Sequence, residues 1–170
     1  KLEEIQSSND GATFHIKDPV VFKTTNNGTA LVYCSHPFNW SSSNTGLALR
    51  TENSDSFELY THAFIERGAS WDVACTRVTD RLAVPRLGCL KDLPELSLYF
   101  YDGAECLRSL DENVKAVSRP RGFSCEELGG LAWGLDSEFP KIQRLSVDFP
   151  LFVSPKGTGC SRYVSTLVTK

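Results

Sequence analysis

The segment SWDVACTRVTDRLAVP, residues 70–85, decides which fold class the sequence predicts. Its apolar residues recur at steps of three and four positions, at Trp71, Ala74, Cys75, Val78 and Leu82. Ser70 is available as an N-cap and Pro85 stands just beyond the last of these positions, as at the two ends of a helix. The pattern therefore predicts a helix in the middle of the chain.

Two further segments carry helical signals. AECLRSLDENVKAV, residues 104–117, places Leu107, Leu110, Val114 and Val117 at helical spacing, and a proline follows at position 120. SCEELGGLAWGL, residues 124–135, opens with the capping-box spacing Ser124-x-x-Glu127, although its paired glycines weaken a helix. We predict two or three short helices.

The flanking sequence alternates in the manner of half-buried strands. In FELYTHAFI, residues 57–65, Phe57, Leu59, Ala63 and Ile65 fall on one face, and Glu58, Tyr60, His62 and Phe64 fall on the other. LSLYFY, residues 96–101, and LSVDFPLFV, residues 145–153, alternate similarly, although Pro150 favours an edge position or a break in the second. Shorter strand candidates are TFHI at 13–16, PVVFKT at 19–24, ALVYCS at 30–35, GLALRT at 46–51 and YVSTLVT at 163–169.

Strands around central helices predict an α+β fold, a largely antiparallel sheet with two or three short helices on one face. A β-sandwich is the alternative. No repeat, low-complexity tract or long linker divides the 170 residues, so we predict a single globular domain over residues 1–170.

Cysteines and glycosylation motifs indicate the compartment. Two Asn-x-Ser/Thr triplets begin at Asn27 and Asn39, in polar segments typical of loops, and Asn27-Gly28 is a strong turn signal. Six widely spaced cysteines favour disulfides over a C-x-x-C metal or redox motif, with fifteen possible pairings: Cys34, Cys75, Cys89, Cys106, Cys125 and Cys160. We therefore predict a glycosylated, disulfide-stapled, extracellular domain, either secreted or the ectodomain of a cell-surface or virion glycoprotein.

Charge and motif content argue against several other classes. The net charge is -3 and the basic residues are scattered, which does not suit nucleic acid. No apolar run reaches 18 residues, so no contact of this segment with a membrane is expected. His15, His36 and His62 have no close ligand neighbour, and neither a phosphate loop nor a G-x-S-x-G elbow occurs. We predict no enzyme activity, catalytic residue, metal site or cofactor.

Aromatic residues are the remaining functional signal. Those that carry a polar group, such as tyrosine and tryptophan, are the usual anchors of protein interfaces. We predict a contact surface that draws on Phe38, Trp40, Tyr60, His62, Tyr99 and Tyr101. The expected partner is a protein, a cell-surface receptor, and the expected role is receptor binding or virus attachment to a host cell. A secreted effector, inhibitor or carrier of an apolar ligand is the alternative, followed by a small secreted hydrolase.

Overall fold

The computed structural model describes residues 15–36, 43–104, 127–153 and 161–169. Within these ranges the chain forms eight β-strands and two 3₁₀ turns, Gly88–Leu90 and Asp136–Glu138. The strands are β1 His15–Lys23, β2 Thr29–His36, β3 Asn44–Arg50, β4 Glu58–Ile65, β5 Cys75–Ala83, β6 Leu96–Ala104, β7 Glu127–Leu135 and β8 Gln143–Arg144. No helix in this part of the chain has the length and apolar content needed to cross a bilayer.

The strands form two antiparallel sheets, each with its strands in chain order. Sheet A contains β1 to β4, and sheet B contains β5 to β8. Irregular pairing interrupts β1 between Lys17 and Val20 and β5 between Val78 and Asp80. An irregularity of this kind inserts an extra residue and changes which side chains share a face.

The core lies between the two sheets. Sheet A contributes Val32, Leu47 and Ile65, and sheet B contributes Tyr99 and Tyr101, all at most 4% exposed. Edge-to-face ring contacts hold the centre together, with the Tyr99 ring 6.0 Å from Phe22 and 5.7 Å from Phe64. Such contacts add to the free energy gained by burying the rings.

Two threonines join the sheets where β3 and β5 begin. The Thr45 amide donates to Thr76 Oγ1 (3.2 Å), while the Thr45 hydroxyl donates to the Thr76 carbonyl (3.1 Å) and accepts from the Val78 amide (3.1 Å). Thr76 Oγ1 itself donates to the carbonyl of Ile65 at 2.6 Å. Both threonines are fully buried. We call this pair the threonine seam, because its hydroxyls supply hydrogen bonds that a continuous backbone ladder would otherwise make.

A second buried polar cluster surrounds Arg77, which is paired with Asp102 at 2.7 Å, with Glu127 at 3.1 Å and with Asp18 of β1 at 3.1 Å. Burial opposes the charge on Arg77, but the hydrogen bond to Asp102 and the two buried carboxylates outweigh it, so its pKa is raised. Burial raises the pKa of Asp102 despite the arginine. The cluster ties β1 to sheet B.

Residues 161–169 cover this cluster without forming a strand. The Tyr163 amide donates to Asp102 at 3.0 Å, its ring lies 4.3 Å from the Arg77 guanidinium, and the Thr166 hydroxyl donates to Asp80 at 2.7 Å. The predicted strand at 163–169 is therefore wrong. Contacts with these carboxylates and one backbone hydrogen bond, from the Ser161 amide to the Glu127 carbonyl at 2.7 Å, hold this segment on sheet B without strand pairing.

The α+β prediction is wrong, and the β-sandwich alternative agrees with the structure. The segment predicted as a central helix begins with a turn that places Trp71 against Tyr101 (5.6 Å between ring centres) and continues as β5. Glu127–Leu135, predicted to be helical, is β7. The helix predicted at 104–117 falls, beyond Ala104, outside the described residues.

The strand predicted at 145–153 is also wrong. Only Phe152 makes a β-bridge, to Gly129, and the residues predicted to share a buried face are each at least half exposed. They are Leu145, Val147, Phe149, Leu151 and Val153. Ser146 explains the local path, since its hydroxyl accepts the Leu131 amide and its carbonyl accepts the indole N–H of Trp71.

The disulfide-stapled description is not supported within the described ranges. No disulfide joins Cys34, Cys75 and Cys89 to one another. Cys34 is buried on β2, and burial raises the pKa of its thiol, whereas Cys89 is exposed in a 3₁₀ turn. The other three cysteines, Cys106, Cys125 and Cys160, lie outside the described residues. In this part of the chain the threonine seam and the Arg77 cluster are among the non-covalent contacts that join distant segments.

The seam gives a stability prediction. Thr76→Val keeps the shape of the side chain but leaves the Thr45 amide and the Ile65 carbonyl without the threonine hydroxyl in a buried site. We expect the free energy of unfolding, measured by urea denaturation, to fall by about 2 kcal/mol or more. Thr79→Val, a half-buried control on the same strand with one long hydrogen bond of 3.4 Å, should cost less than about 1 kcal/mol. Equal losses in the two variants would contradict the role of the seam.

Candidate recognition site

Three clefts follow one another around one end of the sandwich. The first, of about 240 Å³, lies over the start of β4 and is lined by Leu59 and Tyr60. The second, of about 350 Å³, shares Leu49 and Thr51 with the first. The third, of about 660 Å³, shares Pro140 with the second and reaches Trp133. We call them the β4 cleft, the central cleft and the Trp133 cleft, and together the cleft face.

The turn between β1 and β2 forms one wall of the central cleft. The Thr24 amide donates to the Gly28 carbonyl (3.1 Å), and the Asn27 amide donates to the Thr24 carbonyl (3.2 Å). Asn27 has a φ of 62°, in the left-handed region that asparagine tolerates better than most residues. The predicted Asn-Gly turn is therefore confirmed, and it leaves Asn27 exposed at the tip.

Asp136, after the end of β7, forms the opposite wall. Its carboxylate accepts from the Ser97 hydroxyl at 2.6 Å and pairs with Arg81 at 3.1 Å. The Thr25 hydroxyl reaches the Asp136 backbone carbonyl across the cleft at 3.4 Å. Arg81 also lies 4.8 Å from the Phe22 ring. These contacts fix the position of the 136–140 turn relative to sheet A.

Arg50, the last residue of β3, lines the central cleft next to the β4 cleft. Its guanidinium lies 5.3 Å from the centre of the Phe57 ring, a cation–π contact. It forms no hydrogen bond or ion pair with any described residue. The cleft face therefore includes an arginine whose guanidinium contacts an aromatic ring and whose N–H groups have no hydrogen-bond partner among the described residues.

Exposed apolar residues cluster at the β4 end of the cleft face. Phe57 is 37% exposed, Leu59 55% and Tyr60 58%. β4 is the last strand of sheet A, and no described strand pairs with its outer side. We call these three residues the β4 edge surface.

The structure separates the aromatic residues that the sequence analysis grouped together. Tyr60 is exposed on β4, and His62 of the same strand is partly buried, with Nδ1 3.3 Å from the Ser35 hydroxyl. Tyr99 and Tyr101 are each 1% exposed and belong to the core, so they are not on the recognition surface. Phe38, Trp40 and the second glycosylation motif at Asn39 lie outside the described residues.

The two core tyrosines have environments that oppose ionisation. Burial raises the pKa of Tyr99 to about 12, although the nearby Arg81 acts in the opposite direction. Burial also raises the pKa of Tyr101, whose hydroxyl donates to the buried carboxylate of Asp72 at 3.2 Å. Asp72 is in turn paired with Arg144 at 3.2 Å. The two tyrosines and Asp72 are buried in the interior and line none of the three clefts.

Sequence reasoning missed most residues of the cleft face and of the β4 edge surface, among them Phe57, Leu59 and Arg50. Alternation assigned Phe57 and Leu59 to a shared face with the buried Ile65, but irregular pairing between β3 and β4 separates them. Arg50 carried no sequence signal, because its open donors depend on which neighbours the fold supplies. No three of the His, Cys, Asp and Glu residues in the described ranges are grouped so that they could hold a metal ion.

Comparison with protein-family models, with curated proteins and with solved structures finds no match to this chain. The function must therefore be argued from the cleft face itself.

The burial of Tyr99 gives a test at alkaline pH. An unfolded tyrosine loses its proton near pH 10, whereas folded Tyr99 keeps its proton to about pH 12. Its contribution to stability is therefore complete below pH 10 and is lost as the pH rises to 12. We expect Tyr99→Phe to remove about 2 to 3 kcal/mol of this alkaline loss of unfolding free energy, measured by urea denaturation at several pH values. Identical losses in the variant and the parent protein would contradict the burial of this hydroxyl.

Proposed function

We propose that this domain is an extracellular protein-recognition module that binds its partner through the β4 edge surface. The observation that carries the proposal is the exposure of Phe57, Leu59 and Tyr60 together at an unpaired sheet edge. Single exposed apolar residues are common on protein surfaces, but adjacent ones beside a cleft are typical of contact sites.

The chemistry of the β4 edge surface supports a polypeptide partner. A tyrosine offers a broad apolar ring and a hydroxyl, and loses little conformational freedom on binding. The β4 cleft beside Tyr60 can accept a side chain of the partner, the arrangement found around energetic hot spots. The Arg50–Phe57 contact holds one side of this surface in place before a partner arrives.

The extracellular assignment rests on Asn27. This acceptor lies at the exposed tip of the β1–β2 turn, where an oligosaccharide would project into solvent without displacing the core. We propose that Asn27 is glycosylated, and that the domain is secreted or belongs to the ectodomain of a cell-surface or viral envelope glycoprotein. A receptor on another cell surface is the partner class that fits this placement.

Alanine variants of the β4 edge surface test the contact. The domain would be screened against an array of displayed cell-surface proteins, and the dissociation constant of the retained partner measured by biolayer interferometry. We expect Tyr60→Ala and Leu59→Ala each to weaken binding about tenfold or more. Val21→Ala is the matched control, since Val21 is 58% exposed on β1 at the opposite edge of sheet A. Retention of no displayed protein, or equal affinity in all four proteins, would count against the proposal.

Asn27→Asp tests the modification without disturbing the turn, because aspartate also tolerates the left-handed region. Expressed in a host that glycosylates secreted proteins, the parent domain should carry the mass of an oligosaccharide at Asn27 that the variant lacks. The midpoint of thermal unfolding of the two proteins, measured after enzymatic removal of sugars, should be nearly the same. An unchanged intact mass would contradict glycosylation at this turn.

A further inference from the structure

The central cleft has the size of a small-molecule site. Its volume of about 350 Å³ is at the lower end of the range of about 300 to 1,000 Å³ for such sites. It lies between the two sheets, at the end of β3 opposite the threonine seam, and the β4 edge surface is outside it. A single compact ligand would fill it.

Hydroxyl groups are the most frequent polar groups in the lining of the central cleft. Five side chains supply them: Thr24, Thr25, Thr29, Thr51 and Ser137. The hydroxyls of Thr51 and Ser137 make no hydrogen bond within the described ranges, so both can donate to a ligand and accept from it. Leu49, Phe139 and Pro140 add an apolar side to the same cleft. Hydroxyls opposite an apolar side match a sugar ring, which has hydroxyls around its rim and C–H groups on its face.

The charges in the cleft favour a ligand that carries a negative group. Asp136 is already neutralised by its ion pair with Arg81. Arg50 has no ion pair with any described residue, and the Phe57 ring holds its guanidinium beside the cleft. Its planar group of N–H donors suits a carboxylate, which it can bind with two hydrogen bonds. A phosphate group is less well matched, because only one cation in the cleft is uncompensated.

We propose that the central cleft binds a carboxylate-bearing monosaccharide, such as a sialic acid or a uronic acid. Arg50 binds the sugar carboxylate, Thr51 and Ser137 bind ring or side-chain hydroxyls, and the apolar side of the cleft packs on the C–H face. This site goes beyond the proposed protein contact and does not depend on it. Sialic acids and uronic acids both offer a carboxylate on a hydroxylated ring, and binding measurements distinguish between the two classes.

The test uses ¹⁵N-labelled domain produced in bacteria, so that no sugar attached at Asn27 on the neighbouring turn competes for the cleft. N-acetylneuraminic acid, glucuronic acid and galactose would each be titrated and followed by NMR. We expect one or both acidic sugars to shift the Arg50 Nε–Hε signal and the amide signals of Thr51 and Ser137, and galactose to leave them unchanged. The acidic sugar that binds more tightly identifies the class of ligand, a sialic acid or a uronic acid.

Arg50→Gln should weaken binding of the acidic sugar about tenfold or more, because a charge-assisted hydrogen bond is lost. Arg86→Gln is the matched control, since Arg86 is half exposed and lies outside the cleft. Thr51→Val keeps the arginine and should weaken binding severalfold, which maintains the test if the Arg50 variant fails to fold.

Three results would overturn the proposal: no shift with either acidic sugar at tens of millimolar, equal shifts with galactose, or unchanged affinity in both cleft variants. If these results occur while Tyr60→Ala still weakens the protein contact, only the sugar site is excluded. The reverse pattern would exclude the protein contact and leave the sugar site standing.

Discussion

The structure depends on hydrogen bonds that two threonine side chains make to buried backbone amides and carbonyls. Where β3 and β5 begin, the two sheets meet in a buried site, joined by a parallel backbone bridge between Ser43 and Cys75. Beyond that bridge the two strands do not continue one ladder. Thr45 and Thr76 supply the missing donors and acceptors from their hydroxyls, within a buried site where an unmet group is costly. The sandwich is thereby joined at one end of β3. At the other end the turns spread apart, and the clefts lie there.

The sequence patterns predicted a strand correctly where pairing leaves the alternation of side chains intact, and they failed where an irregularity interrupts that alternation. Alternation along β6 was predicted correctly, because its pairing with β7 is regular and the extra residue in its pairing with β5 belongs to β5. In β5 the irregular pairing falls between Val78 and Leu82, two of the apolar residues whose spacing predicted a helix, and these two residues lie opposite Tyr101 and Leu98. An extra residue within a strand interrupts the period of two, so the apolar spacing of β5 resembles that of a helix. Neither the strand period nor the helical spacing in a sequence shows where strand pairing will be irregular, because that depends on the partner strand.

The role of the glycines in β7 was also not predicted from the sequence. They were taken as weakening a helix that opens with a capping box. In the structure they are the points where aromatic rings approach the strand backbone: a Cβ on Gly130 would lie 2.3 Å from the Tyr101 ring, and one on Gly129 would lie 2.1 Å from the Phe152 ring. Of the cleft face, the sequence predicted Tyr60 and the Asn27 turn. The central cleft itself joins segments near positions 25, 50 and 137, which only the folded chain brings together.

The segment at 161–169 sets a practical boundary on how far the chain can be trimmed. Because Tyr163 and Thr166 reach back to Asp102 and Asp80, a protease that removed them would take away two partners of carboxylates on sheet B and uncover the arginine beneath the tyrosine ring. Residues after Thr166 make no such contact within the described ranges, and Leu167 is 85% exposed. An affinity tag or a fused protein attached beyond Thr166 should therefore leave the charged cluster covered, whereas a truncation before Tyr163 would open it to solvent.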